Sequence, residues 1–160
     1  MPAYHSRSAP EGRLAGYLLT LVGERDFATL SAELIPLIRP PGPDPVRGAL
    51  YGGVLGWLVA ALAEVVVARL GDADHGESFV LEVHTTAGRT LGAEDLPARE
   101  GRFGRAVLAL LAGDRAAART ELCDAETEPD PTVRATTLVE ALIWLDALLG
   151  ADTTDFPDTP

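Results

Sequence analysis

The sequence predicts an all-α fold of about six helices, packed as helical hairpins around a central apolar helix, with one small inserted β-hairpin. Three observations lead there. Apolar residues recur at one-face helical spacing through most of the chain. A capping aspartate, or a serine and glutamate three apart, opens the helical runs, and glycines or proline runs close them. With 160 residues, 47% of them hydrophobic and 23% charged, the chain has the composition of a folded domain rather than a disordered one. The expected boundaries are a single helical domain over 1–150 and a disordered acidic tail over 151–160.

Ser8 and Glu11 flank Pro10, so a hydroxyl and a carboxylate can cap the start of a first helix. Leu14, Tyr17, Leu18, Leu21 and Val22 form its stripe, and Gly23 is expected to end it in the left-handed conformation. Asp26 caps a second helix carrying Phe27, Leu30, Leu34 and Ile38. Pro36 lacks a backbone donor and predicts a kink or an early end. The run from Arg39 to Pro45 reads as a stiff connector.

Asp44 and Pro45 open a third helix that can run to Leu70, with Gly71 as its stop. Residues 48–63 carry no charge. Gly48, Gly52, Gly56 and Ala60 fall four apart, leaving one helix edge nearly bare of side chains, where another backbone can approach. Close helix packing or self-association is expected along that edge, so a leucine at Gly52 or Gly56 should overpack it. A membrane-spanning role for this helix is a rival reading, disfavoured because the charge-free run is shorter than a hydrocarbon core and amphipathic soluble helices surround it.

Phe79, Leu81 and Val83 alternate with Val80, Glu82 and His84, the period of a strand. A hairpin over about 78–92 follows. A three-residue loop of Thr86, Ala87 and Gly88, with Gly88 left-handed, would set Val83 opposite Leu91. From Pro97 the helical period returns in Phe103, Val107, Leu110 and Leu111. Asp114 caps a further helix with Ala117, Ala118, Leu122 and Ala125 inward and Cys123 among them as a small hydrophobe. Asp130 and Pro131 open the last helix, striped by Leu138, Leu142, Leu145 and Leu149. The helical pair built on Gly113, Ala118, Leu122 and Ala125 resembles a tetratricopeptide unit in its turn glycine and small packing residues, but lacks that repeat's Trp and Tyr positions.

All thirteen basic residues are arginine, and Lys, Asn and Gln are absent, which reads as translation from a GC-rich bacterial genome. One cysteine permits no internal disulfide, and the polar first residues lack a secretory signal, so the expected location is the cytoplasm. A net charge of -11 argues against a nucleic-acid partner. The excess is local: residues 121–160 hold ten acids and only Arg134. Just before them stand Arg99, Arg102, Arg105, Arg115 and Arg119. Glu121, Asp124, Glu126, Glu128 and Asp130, with Phe156 as an aromatic anchor in the tail, are therefore the candidate partner-binding segment. Its expected partner is a protein with a basic surface, or a second copy of the chain.

Catalytic motifs fail their spacing tests. Glu82 and His84 project from one strand face and can share a proton or a metal, but the neighbouring acidic loop has its glycine one place too early for calcium. No Cys or His pairing supports zinc. No metal and no cofactor is expected. The sequence thus points to a noncatalytic protein-interaction or adaptor module. A small enzyme or ligand-binding bundle using Glu82 and His84, with a pocket between the third helix and the hairpin, is the alternative.

Overall fold

The computed structural model describes residues 10–40, 45–71, 78–84 and 87–150. The fold is all-α, with six helices in chain order: α1 Pro10–Gly23, α2 Phe27–Ile38, α3 Pro45–Leu70, α4 Arg102–Leu111, α5 Arg115–Glu126 and α6 Pro131–Gly150. Two three-residue strands, β1 Glu82–His84 and β2 Thr90–Gly92, and a 3-10 turn at Ala93–Asp95 lie between α3 and α4. The tail over 151–160, including Phe156, lies outside the described residues.

Helix α3 touches each of the other five helices. Tyr51, Val54, Leu55, Leu58, Val59 and Leu62 are buried along it and meet Leu18, Leu34, Phe103, Leu138 and Leu142 in one apolar cluster. Each such side chain contributes about 1.5–3 kcal/mol when fully buried. Leu50–Leu70 is long and apolar enough to cross a membrane by length and composition, with mean hydropathy 1.9, yet 39% of that stretch is buried within this fold.

Helix starts follow local chemistry. Asp26 accepts the Thr29 N–H at 3.1 Å, Asp114 the Ala117 N–H at 2.9 Å and Asp130 the Thr132 N–H at 2.8 Å, each satisfying a donor that has no partner within its helix. The α1–α2 and α4–α5 turns share one construction. Asp26 N–H donates to Leu21 O at 2.9 Å and Asp114 N–H to Ala109 O at 2.8 Å, the wide bond of a Schellman ending. The residue before each aspartate takes the left-handed conformation, Gly113 at φ +76° and Arg25 at φ +58°. Gly23 was expected there, but it remains helical, and an arginine bears the steric cost instead.

That placement predicts a gain. The left-handed conformation costs an L-residue roughly 1–2 kcal/mol, and glycine's added chain entropy returns about 0.5–1 kcal/mol of it. Arg25→Gly should raise stability by about 0.5–1 kcal/mol, read as a higher urea midpoint at constant slope.

Other expectations need correction. Of the kink or early end expected at Pro36, the early end does not occur, since α2 runs two residues past it to Ile38. The strand expected from Phe79 begins only at Glu82. Leu81 turns instead onto α4, where Gly104 admits it: a Cβ there would lie 2.6 Å from Leu81 Cδ2. The register sets Val83 opposite Leu91 and Gly88 has φ +75°, the geometry expected of the hairpin, although residues 85 and 86 lie outside the description. Helix α4 starts at Arg102 rather than near Pro97, after a turn in which Gly101 N–H bonds Pro97 O at 3.0 Å. Ala117 is exposed, and Leu149, half-exposed at the end of α6, leaves the stripe that Leu138, Leu142 and Leu145 complete. Cys123 is exposed rather than inward, since the buried line of α5 runs through Ala118 and Ala125.

Candidate functional site: a groove along α3

The glycine-rich edge of α3 proves to be two edges. Gly52 and Gly56 face α5: a Cβ on Gly52 would sit 2.7 Å from the Glu126 carboxyl carbon, and one on Gly56 would sit 3.9 Å from Leu122 Cδ1. Gly53 and Trp57 face α1, where a Cβ on Gly53 would lie 2.5 Å from Glu11 Cγ and the indole fills the space left by Gly12. Pairing Gly52 with Glu126 and Gly56 with Leu122 makes α3 and α5 antiparallel, four residues forward on one for four back on the other. One further turn brings Ala60 level with Ala118, and a second brings Glu64 level with Asp114.

Beyond Gly56 the flanking helices stand apart. A concavity of about 1040 Å³ opens there, with Gly56, Trp57, Ala60, Ala61 and Val65 on its floor. Glu11 and Leu19 of α1, Leu110 of α4, Arg115, Arg119 and Leu122 of α5, and Leu145 and Leu149 of α6 complete its lining. Gly56, Ala60 and Ala61 remain partly exposed and Glu64 is exposed. The expected close approach is therefore real at Gly52, where the Glu126 side chain occupies the space. It is absent at Gly56, whose neighbour sits at an ordinary contact distance, and Ala60 opens onto the groove. Gly48 lies in α3, but its surroundings are outside the description.

Leucine at Gly56 was expected to overpack, and the groove removes that expectation. Gly56→Ala should stabilise by about 0.5–1 kcal/mol, because alanine loses less chain entropy in a helix interior and meets no close atom. Gly52→Ala should lose that benefit by displacing Glu126. Paired thermal melts of the two variants check the difference.

Several residues of the acidic segment are engaged within the chain. Glu128 is buried at 4% exposure and is held by Arg99, with Nε at 3.0 Å, and by Arg102 Nη1 at 2.9 Å. It also accepts the Asp130 N–H at 3.1 Å. The Arg99 hydrogen bond leads in pulling its carboxyl down to about 2, against the opposing effect of burial. Glu121 pairs with Arg105 at 2.8 Å. Arg105 also donates to the Ala98 carbonyl. Glu121 and Glu128 thus pair with arginines of this same chain, Arg105 with the first and Arg99 and Arg102 with the second. Asp130 caps α6 and Glu126 packs over Gly52, leaving Asp124 exposed.

Arg134, unremarked in the sequence beyond its isolation among acids, is fully buried. Its Nε donates to Ile38 O at 3.0 Å and its Nη1 to Glu126 O at 2.7 Å. Longer contacts reach Leu37 O and Glu128 O, both at 3.4 Å. The guanidinium lies 3.8 Å over the Tyr51 ring, and Tyr51 Oη donates to Arg134 O at 3.1 Å. A single cation therefore closes the C-terminal ends of α2 and α5, where carbonyls lack helical partners. Burial pushes the Tyr51 hydroxyl up to about 12 and pulls the Arg134 guanidinium below its ordinary value. This is structural rather than chemical machinery, since no solvent reaches Arg134.

Glu82 is exposed. It borders a second concavity of about 480 Å³, between the C-terminal half of α3 and the segment before β1, lined by Leu62, Val66, Leu81, Val107 and Trp144. His84 pairs with Thr90 in the ladder, and its side chain lies outside the description. Among the described residues no three His, Cys, Asp or Glu side chains are grouped to hold a metal ion. No family model, no curated protein and no solved structure matches the chain.

Proposed function

We propose that the chain is a noncatalytic protein-interaction module that docks a protein helix in the groove along α3. One observation carries the reading: the most apolar long helix of the chain is left partly uncovered along a concavity whose lining includes Gly56, Ala60 and Ala61 beside Trp57 and Val65. Laying the apolar face of a helix into such a groove is a common mode of protein recognition. Glu121, Glu128 and Asp130 are engaged within the chain, which favours α3 as the docking surface. Affinity purification from the native host with the full chain and with Ala60→Arg tests this. Partners retained by the wild type should be lost by the variant, at unchanged thermal stability. Identical partner sets from a folded variant would sink the reading.

The second concavity favours a different reading, a bundle that binds an apolar small molecule beside Glu82. Its size falls within the range of small-molecule pockets. Ala147 also lines it, and Ala147→Phe should abolish any co-purifying apolar compound seen by native mass spectrometry. A wild type that carries no such compound ends this alternative.

A further inference from the structure

We propose that the concavity beside Glu82 binds a single-chain amphiphile whose polar end is a cation, an alkylamine in the simplest case, rather than a fatty acid. The inference rests on the small-molecule reading of that concavity and names the class of ligand. Two observations carry it: the charge of the lining, and the apolar surface left bare at its edge.

Helices α3, α4 and α6 and the segment running into β1 supply the lining, and Glu82 is the one ionisable residue among the described residues that form it. The arginines adjacent to that lining in sequence are directed elsewhere, Arg69 to Leu149 O at 3.1 Å and Arg105 to Glu121 at 2.8 Å. Wherever the polar end of a ligand comes to rest in the concavity, the only formal charge it meets on these residues is negative. A carboxylate end would lie against apolar atoms without a counter-ion, which is costly, or beside Glu82, which repels it. An ammonium beside Glu82 gains an ion pair instead. Glu82 is exposed, so that charged end keeps its contact with water while the chain behind it is buried, as a lysine stem is when its head reaches solvent.

The rim fits an alkyl chain. Val80 is 75% exposed, the highest value among the large hydrophobic residues described, and Leu70 is 51% exposed. Both border this concavity, so a chain laid there covers apolar surface that the fold leaves in water. Trp144, on the same lining, is packed edge to face against the buried Phe103, with ring centroids 5.6 Å apart, and provides a reporter of occupancy.

The test is titration of the full chain at neutral pH with decylamine, decanol and decanoate, each below its micellar concentration, followed by tryptophan emission. Decylamine should shift the emission and bind about fivefold or more tightly than decanoate, since attraction in one case and repulsion in the other both count. The shift should vanish in Trp144→Phe and persist in Trp57→Phe, whose ring borders the other concavity. Glu82→Gln should lower the decylamine affinity to that of decanol and leave decanol unchanged. Ala147→Phe should abolish binding of all three. Equal affinity for amine and decanoate, or an amine affinity indifferent to Glu82→Gln, overturns the proposal, and decanol binding in that case keeps the small-molecule reading alive. If none of the three probes changes the emission of Trp144, the small-molecule reading falls with the proposal.

Discussion

Arg134→Met should destabilise the protein by about 3–5 kcal/mol, since two helix ends lose the donor that satisfies them and each buried unsatisfied acceptor costs about 1–3 kcal/mol. Methionine keeps most of the volume, so the loss reports hydrogen bonds and the stacked cation rather than a cavity. Tyr51→Phe removes only the hydroxyl bond to Arg134 O and should cost about 0.5–1.5 kcal/mol. Arg134→Lys should fall between the two, because an ammonium cannot reach carbonyls on two separate helices with a planar fork. Urea unfolding of the three variants provides the ranking. Equal stability of Arg134→Met and the wild type would mean that the ends of α2 and α5 need no cation.

Glu128→Gln should cost about 1–3 kcal/mol at neutral pH, the range for hydrogen bonds to a charged group. The Arg99 side chain is half-exposed, at 51%, whereas that of Glu128 is 3% exposed, so part of the arginine charge can return to water after substitution. The pH dependence has a definite sign. An unfolded glutamate titrates near 4.3, and the folded group is held at about 2. The stabilisation is therefore fully present above the unfolded value and is lost as pH falls toward about 2. The stability gap between wild type and Glu128→Gln should be constant from neutral pH to about 5 and should narrow below it. A gap unchanged down to pH 2 would show that the carboxylate charge is not what Arg99 and Arg102 hold.

Local chemistry made most of the fold legible. Asp26, Asp114 and Asp130 announce their helices because a short carboxylate reaches the backbone donors two or three residues on, an interaction contained within a few residues. The α3 boundaries and the Val83–Leu91 register could be read for the same reason. Arg134 could not. A lone arginine in an acid-rich stretch reads as a solvated charge, and its acceptors on α2 become visible only when distant helices meet. The fate of the acidic segment was hidden in the same way: composition gave a surplus of carboxylates, but Glu128 and Glu121 face arginines from α4 and the turn before it only after α5 folds back. The groove was half legible. The small-residue edge was plain in the spacing of Gly52, Gly56 and Ala60, whereas its division between α1 and α5 depends on helix rotation, which periodicity alone does not fix. Cys123 was misplaced for that reason, one residue and about 100° from Leu122.

The buried guanidinium also bears on the order of events in folding. Its acceptors at Leu37 and Ile38 lie 97 and 96 residues away along the chain, a separation whose loop-closure entropy delays such contacts relative to the hairpin turns. If those bonds form after the rate-limiting step, Arg134→Met leaves the refolding rate nearly unchanged and puts its whole effect into faster unfolding. The last turn of α2, which has a proline and no cap of its own, would then exchange its amide protons through global opening in the wild type and through local fraying in the variant. One side chain on α6 would thus set the kinetic lifetime of a helix end nearly a hundred residues earlier in the sequence.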